Sequence, residues 1–259
     1  MIIESKDQMN RVIRLGAKPS RIISLVPSQT EFLHFLGLEN EVVGITKFCI
    51  HPNEWFTTKK RVGGTKNVAL DVVQALQPDL ILANKEENTQ ADVLALEEIA
   101  PVWISDVNDK AQAFEMMRGI AELVDKRSLV EHLITEIEQG LSLFQNENTF
   151  TYLYFMWKDP YFTVGPETFI HNWLSEFGGR NLQLTPRYPE YDFSDGMQPE
   201  VVFISTEPFP FNESHIDFFQ EKFPQSKIII VDGEMASWYG SKMKEATSYF
   251  QDLLAFQLP

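Results

Sequence analysis

The heptapeptide Leu76-Gln-Pro-Asp-Leu-Ile-Leu82 has a counterpart far downstream, Met197-Gln-Pro-Glu-Val-Val-Phe203, and this pair limits the fold more than any other feature of the chain. In both copies proline stops the segment before it, an acid follows to cap the turn, and a run of strand-forming apolar residues comes next. An unbroken apolar run suits a parallel strand covered on both faces rather than an edge strand open to water. Two such runs in matching settings imply two versions of one strand-helix-strand unit.

The flanking sequence repeats the same grammar. Residues 1–15 alternate weakly and read as an edge hairpin. Arg21 to Pro27 is a short apolar strand, and Ser28 opens a helix that Gly37 ends. Val42 to Ile45 is a strand, followed by a long loop from Thr46 to Asn67. Helices are expected over Val68 to Leu76, Ala91 to Ile99 and Ala111 to Val124, with strands at Leu80 to Ala83 and Val102 to Ser105. Beyond Asn148 the strands are Thr151 to Met156, Val201 to Phe203 with its neighbours, and Ile228 to Val231. The helices there are Thr168 to Phe177, Ile216 to Phe223 and Ser241 to Ala255, with loops at Trp157 to Gly165 and Asp232 to Tyr239. Strands separated by helices require parallel sheets with right-handed crossovers.

Between the halves lies a stretch from Asp125 to Gln145 with Leu129, Leu133, Ile137 and Leu141 at helical spacing, Val130, Ile134 and Phe144 beside them, and Glu131, Glu136 and Glu138 opposite. Asp125 is its expected N-cap. With 259 residues, 44% of them hydrophobic, the chain has material for two lobes. The expected fold is therefore α/β: two Rossmann-like lobes with mainly parallel sheets joined by one long backbone helix. The boundaries are an N-terminal lobe over 1–117, the connecting helix over 118–147 and a C-terminal lobe over 148–259.

Net charge is −15, the second half carrying the larger share of acid, so nucleic acid and anionic lipid are repelled. Cys49 is the single cysteine, which rules out an intrachain disulfide and leaves the redox compartment unread. No run reaches the ~18 apolar residues of a membrane helix. The opening residues lack the apolar core of a signal peptide, so the expected location is cytoplasmic if Met1 is the native start and periplasmic if an export signal precedes it.

Ligands of open α/β sheets sit beyond the carboxyl ends of the strands. The loops there are the candidates, and two facing lobes would make a cleft. The first half offers Pro27, Ser28, Gln29, Phe48, His51, Lys66, Asn84 and Lys85; the second offers Trp157, Tyr161, Phe162, Glu207, Phe209, Phe211, Trp238 and Tyr239. So many rings where strands end point to a large flat or apolar ligand, although loop rings also plug sheet ends. Cys49 is most simply a small buried apolar residue, with metal ligation the alternative. His51 before Pro52 reads as a turn residue, with an axial contact to a bound metal complex the alternative. His34, His132, His171 and His215 are scattered, so no structural metal and no intrinsic cofactor is expected. Gly63-Gly64-Thr65-Lys66 lacks Walker spacing, and neither a nucleophile elbow nor a His-Glu-x-x-His helix is present.

Taken in order, Arg21-Ile-Ile-Ser-Leu-Val-Pro-Ser-Gln-Thr-Glu31, Val62-Gly-Gly64, Leu76 to Leu82, Asp159 to Gly165, Phe177-Gly-Gly-Arg-Asn181 and Trp238 before the last helix resemble the helical-backbone (class III) substrate-binding proteins of ABC transporters. That family includes vitamin B12, ferric-siderophore and haem receptors, and the sequence looks most like the cobalamin-binding branch. The resemblance implies ligand contacts at Phe48 and its neighbours, Lys66, Trp157, Phe162 and Trp238. It also implies docking to a permease through Asp71, with Glu190, Asp192 and Asp195 as candidates for the second acid. The function it implies is that of a non-enzymatic, monomeric receptor handing cobalamin or another metal chelate to an ABC permease and its ATPase. The alternatives are an intracellular carrier or sensor of the same ligand class and a two-lobe enzyme.

Overall fold

In the computed structural model, which describes residues 2–143 and 149–257, the chain divides into two units. Unit 1 comprises Met1–Val107, Ala111–Thr135 and Tyr239–Lys242; unit 2 comprises Asn108–Lys110, Glu136–Trp238 and Met243–Pro259.

Unit 1 opens with an antiparallel hairpin of its own, β1 (Ile3–Lys6) and β2 (Val12–Leu15). Its main sheet is built from β3 (Ile22–Ser24), β4 (Val42–Ile45), β5 (Lys60–Arg61), β8 (Leu80–Asn84) and β9 (Val102–Ser105), in the order β5-β4-β3-β8-β9 and parallel throughout. A small hairpin, β6 (Gly63–Gly64) and β7 (Asn67–Val68), interrupts the sequence between β5 and β8. The helices are α1 (Pro27–Phe35), α2 (Asn53–Thr58), α3 (Leu70–Leu76) and α4 (Gln90–Glu97). Pro27 begins α1 instead of closing the strand before it, because the first helical position has no N–H to satisfy. The segment expected as one loop, Thr46 to Asn67, holds α2, β5 and β6: its apolar spacing is too short to register, yet Pro52 starts a helix and Gly63, at φ +100°, turns the chain into the hairpin.

Unit 2 contains β10 (Phe150–Trp157), β11 (Phe162–Thr163), α7 (Phe169–Ser175), β12 (Gly179–Asn181), β13 (Val201–Ser205), α8 (Ile216–Lys222), β14 (Lys227–Val231) and α9 (Gly233–Ser237). The last helix, α10 (Lys242–Gln257), belongs to it from Met243 onward. Strands β12, β10, β13 and β14 are parallel, and β11 runs antiparallel along the carboxyl half of the β10 edge whose amino half β12 takes. With the two-residue edge strand β5 set aside, the remaining parallel strands of both sheets read, in chain order, second, first, third, fourth: β4-β3-β8-β9 and β12-β10-β13-β14. The winding therefore reverses beside the first strand in each unit, at β3/β8 and at β10/β13.

The paired motifs explain themselves in this arrangement. Asp79 accepts the backbone N–H groups of Ser20 (2.8 Å) and Arg21 (2.9 Å), just before β3. Glu200 accepts the N–H (2.6 Å) and hydroxyl (2.9 Å) of Thr151 in β10. Neither acid merely caps its own turn. Each ties the amino end of the third strand to that of the first, and the bonds from Thr151 hold the Glu200 carboxyl below the usual range. The strands that follow, β8 and β13, are buried at every position.

The cores differ in chemistry. One cluster in unit 1 is aliphatic, with Ile23, Leu25, Val73, Ile81, Leu96 and Val102, while Phe32, Trp55 and Trp103 are buried elsewhere in the same unit. Unit 2 packs rings: Phe155 lies 4.8 Å from Phe219 and 5.0 Å from Tyr191, and Tyr161 stacks on Phe218 at 5.3 Å.

The stretch between the halves is two helices, α5 (Lys110–Val124) and α6 (Arg127–Ser142). Asp125 is not an N-cap. It adopts φ 56°, and the N–H of Lys126 returns to the carbonyl of Ala121 at 2.9 Å, closing α5 as a Schellman turn. The side chains of Val130, Leu133, Ile134, Ile137 and Leu141 are buried as the spacing requires, whereas Leu129 is exposed. The division between units falls within α6, after Thr135. Phe144 and Gln145, assigned above to this helix, lie outside the described residues, as do the positions up to 148. An L residue in the left-handed region costs about 1 kcal/mol that glycine avoids, so Asp125→Gly is expected to stabilise unit 1 by roughly 0.5–1 kcal/mol, read as a higher urea midpoint at unchanged m-value.

Candidate functional site

Strands covered on both faces leave only their ends for chemistry, and several of the carboxyl ends here finish in small polar residues. Ser24, Asn84 and Ser105 end β3, β8 and β9, Thr46 follows β4, and Ser205 ends β13; all are buried. A buried polar group must be partnered, and these partner one another or the loops beyond. In unit 1 the amide of Gln29, in the first turn of α1, donates to Ser105 Oγ at 2.6 Å. Asn84 Nδ2 donates to the same oxygen at 2.9 Å. Thr30 Oγ1 lies within hydrogen-bond distance of Ser24 Oγ at 2.8 Å and of Cys49 Sγ at 3.1 Å. Cys49 is thus enclosed, and burial pushes its thiol up. In unit 2 Tyr154 donates to Ser205 Oγ at 2.8 Å.

Two asparagines set the loop after β8. Asn84 Oδ1 accepts the N–H groups of Glu86 (2.8 Å) and Glu87 (3.1 Å). Asn88 Oδ1 accepts the N–H of Asn84 at 2.8 Å, while its Nδ2 donates to the carbonyl of Thr65 in the β6–β7 turn, also at 2.8 Å. The turn and the loop are thereby clasped, and their outward residues, Lys66 and Glu87, become neighbours. Glu87 is open to solvent yet closely surrounded by protein; burial pushes its carboxyl up and the charge of Lys66 pulls it back.

The residues singled out in the sequence fall into two sets. Phe48, at 50% exposure, stands in the turn after β4 with Lys47 Nζ 5.0 Å from its ring centre. A Cβ on Gly64 would come within 3.3 Å of that ring, so the glycine leaves it room. His51, Lys66 and Lys85 are exposed, Lys85 bonded to Asp106 at 2.6 Å. Trp157 is 41% exposed at the end of β10, where the pairing with β11 shifts register after Phe155. That irregularity separates it from Phe155, which is buried in the ring core. Phe209 meets it edge to face at 6.1 Å, and Phe162 and Glu207 are half-buried beside the strand ends. Asp71 is exposed in the first turn of α3. The exposed acids Glu190, Asp192 and Asp195 lie before β13, Asp195 held by the Tyr191 hydroxyl at 2.9 Å.

The second set is turned inward. Ser28, Gln29, Asn84, Phe211, Trp238 and Tyr239 are buried, and Tyr161 and Phe209 pack against the ring core of unit 2. Tyr239 belongs to unit 1, where its hydroxyl bonds with Ser105, Ser28 and Gln29; burial raises its pKa, the charge of Glu87 adds to that, and these hydrogen bonds oppose it. Lys242 reaches Glu31 of α1 at 3.1 Å in the same unit. Sequence reasoning misses Glu87, Asn88 and Ser105; for Ser105 the signal is the small polar residue that ends β3, β8, β9 and β13 alike. His215 was set aside as scattered, and it lies 5.6 Å from Phe209 and 5.2 Å from Phe211.

Among the described residues no group of three or more His, Cys, Asp or Glu side chains is placed to hold a metal ion. No helix among them is long and apolar enough to cross a membrane.

The sequence profile described as Periplasmic binding protein matches residues 22–182, more than half of the chain. The chain belongs to the periplasmic binding protein family. Members of this family are binding proteins and not enzymes. An uncharacterized ABC transporter substrate-binding lipoprotein of Bacillus subtilis, YvrC, is 27% identical over 188 residues, covering 68% of this chain and 59% of the relative, so the chain spans less than two thirds of that relative's length. A vitamin B12-binding protein of Vibrio campbellii is 25% identical over 198 residues, 71% of this chain and 70% of its own. Among solved structures, the petrobactin-binding protein YclQ of Bacillus subtilis superposes with a TM-score of 0.81 at 17% identity, covering 100% of this chain and 99% of that one. At that identity the likeness is one of fold.

Removing the clasp tests the site's construction. Asn84→Ala leaves the N–H groups of Glu86 and Glu87 without their acceptor and removes one of the donors to Ser105 Oγ, and is expected to cost about 2–3 kcal/mol and to speed amide exchange at Glu86 and Glu87. Unchanged exchange there would show that the loop is held by other contacts.

Proposed function

We propose that the chain binds a corrinoid, or a metal chelate of similar size and flatness, and delivers it to an ABC permease and its ATPase outside the cytoplasmic membrane. The observation that carries this reading is the set of solvent-exposed rings at the carboxyl ends of the strands, Phe48 in unit 1 and Trp157 in unit 2, in a chain whose relatives include vitamin B12-binding proteins. Rings held by rigid strand ends bind by stacking and by exclusion of water, at little cost in side-chain entropy.

Lys66 and Glu207 supply polar contacts beside these rings, with Phe162 extending the apolar surface at β11. Trp238 and Tyr239, being buried, serve to seat the segment before α10, with their exposed edges the only part a ligand meets. Asp71, exposed on α3, is the docking acid for a permease arginine, and Glu190, Asp192 or Asp195 provides the second.

Calorimetric titration of the full chain with cobalamin, haem and ferric siderophores tests the ligand class. Cobalamin is expected to release heat at micromolar protein and to quench tryptophan fluorescence, and Trp157→Ala is expected to weaken binding about 10-fold or more, the usual loss for a stacking ring. Heat from none of the ligands would overturn the proposal.

A further inference from the structure

We propose that Lys66 and Glu87 act together as a bipolar reader of the ligand's edge, selecting the neutral carboxamides of a corrinoid over the carboxylates of a porphyrin. This rests on the ligand class proposed above and sharpens it. The placement comes from the clasp: Asn88 ties its loop to the carbonyl of Thr65 at 2.8 Å, so the residue after Thr65 and the residue before Asn88 project from adjoining backbone. Asn84 Oδ1 fixes that loop through Glu86 and Glu87 N–H, and both asparagines are buried. Lys66 and Glu87 themselves are exposed, on the same ends of the unit 1 strands as Phe48. Gly64 connects the two features, since it lies against the Phe48 ring and stands two residues before Lys66.

The remaining charges at this end leave the pair as its reading element. Lys85 is bonded to Asp106 at 2.6 Å, and Lys47 lies over the Phe48 ring. Glu86 is exposed on the same loop as Glu87, so Lys47 and Lys66 together with Glu86 and Glu87 add two charges of each sign at this end of the unit.

The chemistry follows from donor and acceptor counts. A primary carboxamide has a carbonyl that accepts and an NH2 that donates, so an ammonium and a carboxylate side by side satisfy both of its halves. A carboxylate edge only accepts: it gains from Lys66 and is repelled by Glu87, which is selection by an unfavourable contact. A site built for anionic chelates would show lysines without the opposing acid.

The experiment is titration of dicyanocobinamide, cobalamin and haem into the full chain and into Glu87→Lys and the double variant Lys66→Glu/Glu87→Lys. Cobinamide retains the corrin carboxamides and lacks the nucleotide phosphate. The native chain is expected to prefer cobinamide to haem by at least about 10-fold, Glu87→Lys to shift that ratio toward haem by about 10-fold or more, and the double variant, which restores one charge of each sign, to recover much of the preference. Both positions are exposed, so circular dichroism and melting temperature are expected to stay native. Corrinoid binding with a ratio that Glu87→Lys moves less than twofold, or a native preference for haem, overturns the reader and leaves the binding function standing. No binding of either corrinoid overturns the ligand class itself.

Discussion

A parallel strand covered on both faces has no free surface along its length, and most of what this chain does follows from that exclusion. β8 and β13 are buried at every residue, so the polar groups that any recognition needs are displaced to the strand ends. There they meet a second requirement, that buried polar atoms be bonded. Ser24, Asn84, Ser105 and Ser205 meet it with each other and with loop backbone, and in doing so they make the loops rigid. The exposed side chains on those loops inherit fixed positions from a network that no ligand has to order.

The two units reach this result with different interiors. Unit 1 surrounds its sheet largely with aliphatic residues, and the exposed ring after β4, Phe48, owes its setting to a glycine. Unit 2 consumes most of its rings in packing, with Phe155 surrounded by Tyr191, Phe219 and Phe223. Trp157 escapes because the pairing slips between it and Phe155. Aromatic content in a loop therefore measures core demand as much as ligand affinity, and only exposure separates the two.

The sheets were legible in the sequence because apolar runs and helix periods are local, and the repeated Gln-Pro-acid motif located β8 and β13. Short elements were not: α2, β6, β12 and α9 span two to six residues, too few to show a period. Asp125 looked like a helix start since aspartate favours both N-caps and left-handed turns, and the choice between them was made by the return of Lys126 to Ala121. Among the candidate ligand contacts, Phe48 and Lys66 in unit 1 and Trp157 in unit 2 stood out by type and position. Glu87 did not, because what distinguishes it is the Asn88 to Thr65 bond between loops more than twenty residues apart.

The acids Asp79 and Glu200 brace the amino ends of the strands, at the pole of each sheet farthest from Phe48, Lys66 and Trp157. Strand alignment is therefore settled at one pole, and the residues proposed to choose the cargo stand at the other. A designer wishing to redirect such a receptor would find the two separable: the outer loops could be rewritten residue by residue while the register of the barrier between them, fixed from the opposite side, stayed as it was.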